Sequence, residues 1–136
     1  MNVGLLIITH DGIGKALLKS AESAYGGCPM PCQVMTSERS ADPNEVFAAA
    51  RRHLEELQQG DGVLVLTDVF GATPCNIAAR LLNLPNVALV AGLNLGMLMK
   101  VFNYADLPLD KIIEKAVSGG LDSVFEVIPG MVPYGD

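Results

Sequence analysis

Short, unbroken apolar runs alternate along the chain with amphipathic segments, and Gly, Pro and Asp mark most of the joins. Residues 3–8 (VGLLII) are apolar without alternation, the pattern of a strand covered on both faces. Residues 62–67 (GVLVLT) repeat it, while residues 32–36 and 87–91 read as two further strands, the former weakly patterned. Helical segments lie between them. Residues 12–25 place Leu17, Leu18, Ala21 and Ala24 on one face, and Gly26-Gly27 stops them. Asp42, Pro43 and Glu45 spell a helix start with a capping box, and Val46, Ala50, Leu54 and Leu57 follow as an apolar stripe ended by Gly60. Residues 77–82, 95–104 and 110–117 complete the helical set, with Gly119-Gly120 ending the last. Residues 123–128 read as a final strand, and 129–136 as a short loose tail.

Strands alternating with helices predict an α/β fold: an open, mainly parallel, doubly wound sheet with helices on both faces. A length of 136 residues fits one domain, expected over 1–128. Half of the residues are hydrophobic and 18% are charged, which makes the chain globular. A net charge of -6 argues against nucleic acid or an anionic membrane as partner. The N-terminal apolar run lacks a basic flank and is too short for a signal peptide or a bilayer span, so the expected location is cytoplasmic. Three cysteines without a metal-spacing partner pair read as reduced, structural thiols, Cys28 and Cys32 among them. His53, set among Arg51, Arg52, Glu55 and Glu56, reads as a solvated helix residue.

In open parallel sheets the ligand site lies beyond the carboxyl ends of the strands, at the switch in strand order. Residues 9–12 (THDG) and 68–76 (DVFGATPCN) occupy such positions. If their strands are neighbours, the Asp68 carboxylate meets the His10 imidazole. It then accepts one ring N–H and leaves the other nitrogen's lone pair free for nucleophilic attack. Asp68 also fits a simple turn residue, and His10 a structural one. Thr73-Pro74 reads as a helix start, with Thr73 as the cap. Backbone N–H groups around Gly71, Ala72 and Thr73 make an anion site there, and the Thr73 hydroxyl either caps the helix or binds a phosphoryl oxygen. Cys75, just inside that start, reads better as a buried thiol than as a nucleophile. There is no Gly-x-Ser-x-Gly elbow, no Gly-rich nucleotide motif, and no second carboxylate cluster near Asp68, so neither a cofactor nor a metal is expected.

With these residues in place, the chain resembles the enzyme IIA domain of the mannose family of the bacterial sugar phosphotransferase system, over about residues 3–127. The most specific stretches are residues 7–10 (IITH), 65–76 (VLTDVFGATPCN) and 91–95 (AGLNL). The resemblance implies that His10 carries the phosphoryl group on Nε2, that Asp68 orients it, and that Thr73 is the matching hydroxyl residue. It implies a histidine-containing phosphocarrier protein as donor and an enzyme IIB domain or a regulatory target as acceptor. It also implies a homodimer that reaches the membrane only through its partners. Two departures stand out: Gly71-Ala72 replaces the frequent Gly-Gly, and no Ala/Pro-rich linker to a IIB domain follows. The role is accordingly sugar uptake or phosphorylation-dependent regulation. Two alternatives are a phosphotransfer subunit of a dihydroxyacetone kinase system and a non-enzymatic regulatory module that binds an anion or a protein.

Overall fold

The structure, a computed structural model, describes residues 2–132; the tail residues 133–136 lie outside the described part. Four strands, β1 (Gly4–Thr9), β2 (Cys32–Thr36), β3 (Val63–Thr67) and β4 (Val87–Ala91), form one parallel sheet in the order β2-β1-β3-β4. Five helices connect and follow them: α1 (Ile13–Tyr25), α2 (Pro43–Leu57), α3 (Thr73–Ala79), α4 (Leu95–Asn103) and α5 (Leu109–Asp122). A 3-10 turn over Arg80–Asn83 follows α3.

The unbroken apolar runs are the two central strands, and every residue of β1 and β3 is buried. Side chains alternate between the faces. Leu5, Ile7, Leu64 and Leu66 pack with Leu18 and Ala21 of α1, with Leu98, Val101 and Phe102 of α4, and with Ile112 and Ala116 of α5. Leu6, Ile8, Val63 and Val65 pack on the other face with Ala50, Leu54 and Leu57 of α2, and with Ala78 and Leu81. The doubly wound expectation holds, and each fully buried Leu or Ile contributes about 1.5–3 kcal/mol. β2 and most of β4 are only half-buried, as befits edge strands, and this explains the weak pattern of residues 32–36.

Local signals act as expected at several ends. Gly26 closes α1 in the left-handed region at φ 96°, donating to Glu22 O. Asp42 caps α2, but its carboxylate accepts from the Asn44 N–H (2.9 Å), and no reciprocal Glu45 bond forms among the described residues. The capping box is thus half made.

Two expectations need correction. Gly119-Gly120 does not end α5, which runs on to Asp122. These glycines serve close helix packing: a Cβ on Gly119 would lie 2.7 Å from Lys100 Cβ, and one on Gly120 2.9 Å from Met97 Cε. The final strand at residues 123–128 does not form; these residues pair with no strand, and Val124 and Phe125 are 77% and 61% exposed. An apolar composition needs cover, and among the described residues this segment has none. Cys28 and Cys32 come together in the fold. The turn between them sets the two sulfurs in contact, beside the Met30 carbonyl, with Cα atoms 7.2 Å apart.

Candidate functional site

Adjacent parallel strands bring the two chemically interesting loops together. Ile8 pairs with Thr67, so the chain leaves β1 and β3 side by side, with His10 and Asp68 in the first turns beyond. Asp68 Oδ2 receives the His10 backbone N–H at 3.0 Å and lies 2.8 Å from His10 Nδ1, while Oδ1 receives the Val69 N–H at 3.0 Å. Burial by itself would raise the Asp68 carboxyl. The His10 N–H, the His10 ring and the Val69 N–H outweigh it and hold the group below its ordinary range. An ionised carboxylate can only accept, so Nδ1 carries a proton, and in the neutral ring Nε2 keeps its lone pair. The Asp68 side chain is 7% exposed and that of His10 25%, so the orienting group is covered while the ring remains reachable.

The histidine loop is held from below. The Thr9 hydroxyl, buried at the end of β1, donates to His10 O (3.1 Å) and accepts the Gly14 N–H (2.8 Å). Asp11 takes a left-handed conformation (φ 44°), which short polar residues tolerate, and its carbonyl accepts the Thr36 hydroxyl. Gly14 lets α1 approach this closely, since a Cβ there would lie 2.7 Å from Ile7 Cγ2 and 3.0 Å from Thr9 Oγ1. The aspartate loop is braced from the far side by the AGLNL segment: Gly92 N–H donates to Asp68 O and Leu93 N–H to Thr67 O, both at 3.0 Å. Asn94 then caps α4 through the Met97 N–H (2.8 Å) and reaches Gly120 O.

Thr73 is not the cap of α3. It is the first helical residue, Ala72 takes the cap position, and the Thr73 side chain makes no capping bond. Pro74 follows in the first turn, which shifts the helix start one residue earlier than expected. The hydroxyl is thereby left without that competing task. Gly71 supplies the left-handed turn (φ 83°), and the Ala72 N–H is turned to Val69 O at 3.3 Å. Cys75 is buried, and His53 of α2 is half-buried against Gln33 Oε1 of β2, away from the site.

His10 and Thr73 line one cleft of about 420 Å³ together with Ser37, Glu38 and Arg39 from the loop after β2. Those three were missed in the sequence. The rule that flagged the loops after β1 and β3 applies equally after β2, but a weak strand gave it no firm end to count from.

The chain matches over residues 4–117 the EIIA-man family model, described as the PTS system fructose IIA component. The chain belongs to that family. Among the relatives of this IIA chain, the PTS system mannose-specific EIIAB component of Escherichia coli K12 is 28% identical over 129 residues, covering 91% of this chain and 39% of that protein. The chain spans about half or less of the length of the curated relatives it matches, 53% of one and 39% of another. The mannose/sorbose specific IIA subunit of phosphotransferase system from Enterococcus faecalis has the same fold, with a TM-score of 0.85 at 22% identity over 98% of this chain and 100% of that one. The PTS IIA protein associated with the fucose utilization operon from Streptococcus pneumoniae gives 0.80 at 26% identity, covering 93% of each. No helix of this IIA chain, among the described residues, is long and apolar enough to cross a membrane.

Proposed function

We propose that this IIA chain is a phosphohistidine carrier, accepting a phosphoryl group on His10 Nε2 from the histidine-containing phosphocarrier protein. It then passes the group to an enzyme IIB partner for sugar uptake, or to a regulatory target. The observation that carries this reading is the 2.8 Å contact between His10 Nδ1 and Asp68 Oδ2. As the new N–P bond forms and the bond to the donor's histidine nitrogen breaks, Nε2 commits its lone pair and the ring gains positive charge. The Asp68 carboxylate is in place to neutralise it. Transfer through a loose transition state needs little covalent help, so positioning and oxygen stabilisation dominate. The Thr73 hydroxyl and the N–H groups of Gly71 and Ala72 form the oxygen-binding side, with Ala72 contributing once its long bond to Val69 O gives way.

The test is direct. Incubation with phosphoenolpyruvate, enzyme I and the carrier protein adds one phosphate to the intact mass under alkaline conditions, and acid removes it. The His10→Ala variant gains none; a variant that still gained one would sink the assignment.

A further inference from the structure

Opposite the α3 side, the cleft is walled by the loop leaving β2, and the strand ladder fixes where that wall stands. Thr9 pairs with Thr36, and the Ser37 N–H donates to Thr9 O at 2.9 Å, so Ser37 occupies the rung beside His10. Asp68 flanks the histidine from β3, and Ser37 from β2. Ser37 is only 4% exposed, it lines the cleft, and its hydroxyl makes no hydrogen bond among the described residues. The buried unpaired side-chain oxygen among the described residues is Thr67 Oγ1, not that of Ser37, so the Ser37 hydroxyl faces the open cleft and is free to donate to a ligand that enters it.

Arg39, two residues on, is the single cation lining that cleft, and its guanidinium makes no hydrogen bond or ion pair among the described residues. Arg51 pairs with Glu55 and Arg80 with Asn44 and the Phe47 ring, while Arg52, also without a partner among the described residues, does not line the cleft. The formal charges around His10 are otherwise negative, from Asp68 and from Glu38 on the same rim. A phosphoryl group brings close to two further negative charges into this space.

We propose that Ser37 and Arg39 are a second phosphoryl-binding wall, facing Thr73 across His10. The Ser37 hydroxyl donates to one equatorial oxygen, and the Arg39 guanidinium offsets the dianion and the neighbouring Glu38 carboxylate. The inference rests on the phosphohistidine reading, and adds to it the residues that hold the group on its β2 side.

The experiment uses the full chain and purified, pre-phosphorylated carrier protein. Transfer rates are measured for wild type, Ser37→Ala, Arg39→Gln and Arg39→Lys. The phosphoprotein is then freed of donor and its phosphate is titrated by ³¹P NMR. Removing either group should slow transfer about tenfold or more, as loss of an oxyanion donor does. Arg39→Gln should also raise the phosphate's own pKa, and Arg39→Lys should restore most of it. The titration is made without a partner, so docking cannot produce that shift. A transfer defect without it assigns Arg39 to donor docking and overturns the proposal, as do unchanged rates in both variants beside a phosphorylated wild type. In that last case the carrier reading stands; a wild type that takes no phosphate on His10 removes both. Arg39→Gln breaks no described contact, so the test does not depend on the folding of Ser37→Ala.

Discussion

Asp68→Asn separates a functional from a merely structural contact most sharply. Asparagine keeps the shape of the side chain but exchanges one acceptor oxygen for an NH₂ donor. In place of Oδ2, that donor would face both the His10 N–H and Nδ1; in place of Oδ1, it would face the Val69 N–H. With the side chain 7% exposed, water cannot easily mend the conflict. The simplest relief is a switch of tautomer, with Nδ1 accepting from the amide and the proton moving to Nε2, which removes the nucleophilic lone pair. A lost charge-assisted hydrogen bond is worth about 1.5–3 kcal/mol, or roughly 10–10² in rate at about 1.4 kcal/mol per tenfold. The tautomer penalty adds to that, so transfer from phosphorylated carrier protein, followed by rapid quench, should slow by about 10² or more. The same variant has a stability signature. Because the folded-state pKa of Asp68 is depressed, its contribution is complete above the unfolded-state pKa and is lost as pH falls through the folded one. Wild type should therefore lose part of its stability on the acid side, and Asp68→Asn should lack that component. A near-wild-type transfer rate in a folded Asp68→Asn would refute the orienting role and leave Asp68 a turn residue.

Three further outcomes are expected. Gly14→Ala drives a methyl into Ile7 and Thr9, so a denaturant titration should show a loss of about 1–3 kcal/mol, with slower phosphorylation because the Thr9 hydroxyl supports His10 O. Transfer from pre-phosphorylated carrier should continue in excess EDTA and in a variant with Cys28, Cys32 and Cys75 replaced by Ser; loss on chelation would reveal a metal requirement, and loss in the folded cysteine-free variant would make Cys75 a participant. Sedimentation equilibrium should give a homodimer at micromolar concentration, weakened by Phe125→Glu in the exposed apolar segment, whereas a monomeric wild type would refute the dimer.

What the sequence disclosed follows from the range of each interaction. β1 and β3 were legible because a strand buried on both faces writes its environment into consecutive residues. His10 and Asp68 were legible because the ends of those two strands point to them. What lay hidden depends on contacts between segments distant in sequence. Gly119-Gly120 looks like a stop signal until α4 is placed against it, and then it reads as clearance for Lys100 and Met97. Residues 123–128 have strand composition, yet a strand forms only where an edge receives it. Thr73 has capping chemistry, but the tight turn at Gly71 moves the cap to Ala72. Ser37 carries no local signature at all; only the β1–β2 register sets it beside the histidine.

One oxygen, Asp68 Oδ2, binds both the main chain and the ring of His10. The main-chain bond places the carboxylate and the ring bond ties the imidazole to it, so Nε2 is held to one position and is not the tip of a swinging arm. If His10 carries the phosphoryl group as proposed, it cannot pick up its cargo in one direction and swing round to deliver it in another. Donor and acceptor must each bring their reacting atom to the same spot from the same open side of the cleft. Their visits are therefore mutually exclusive, and the two partners time-share a single landing face. On that proposal, an excess of either partner would act as a competitive inhibitor of the other.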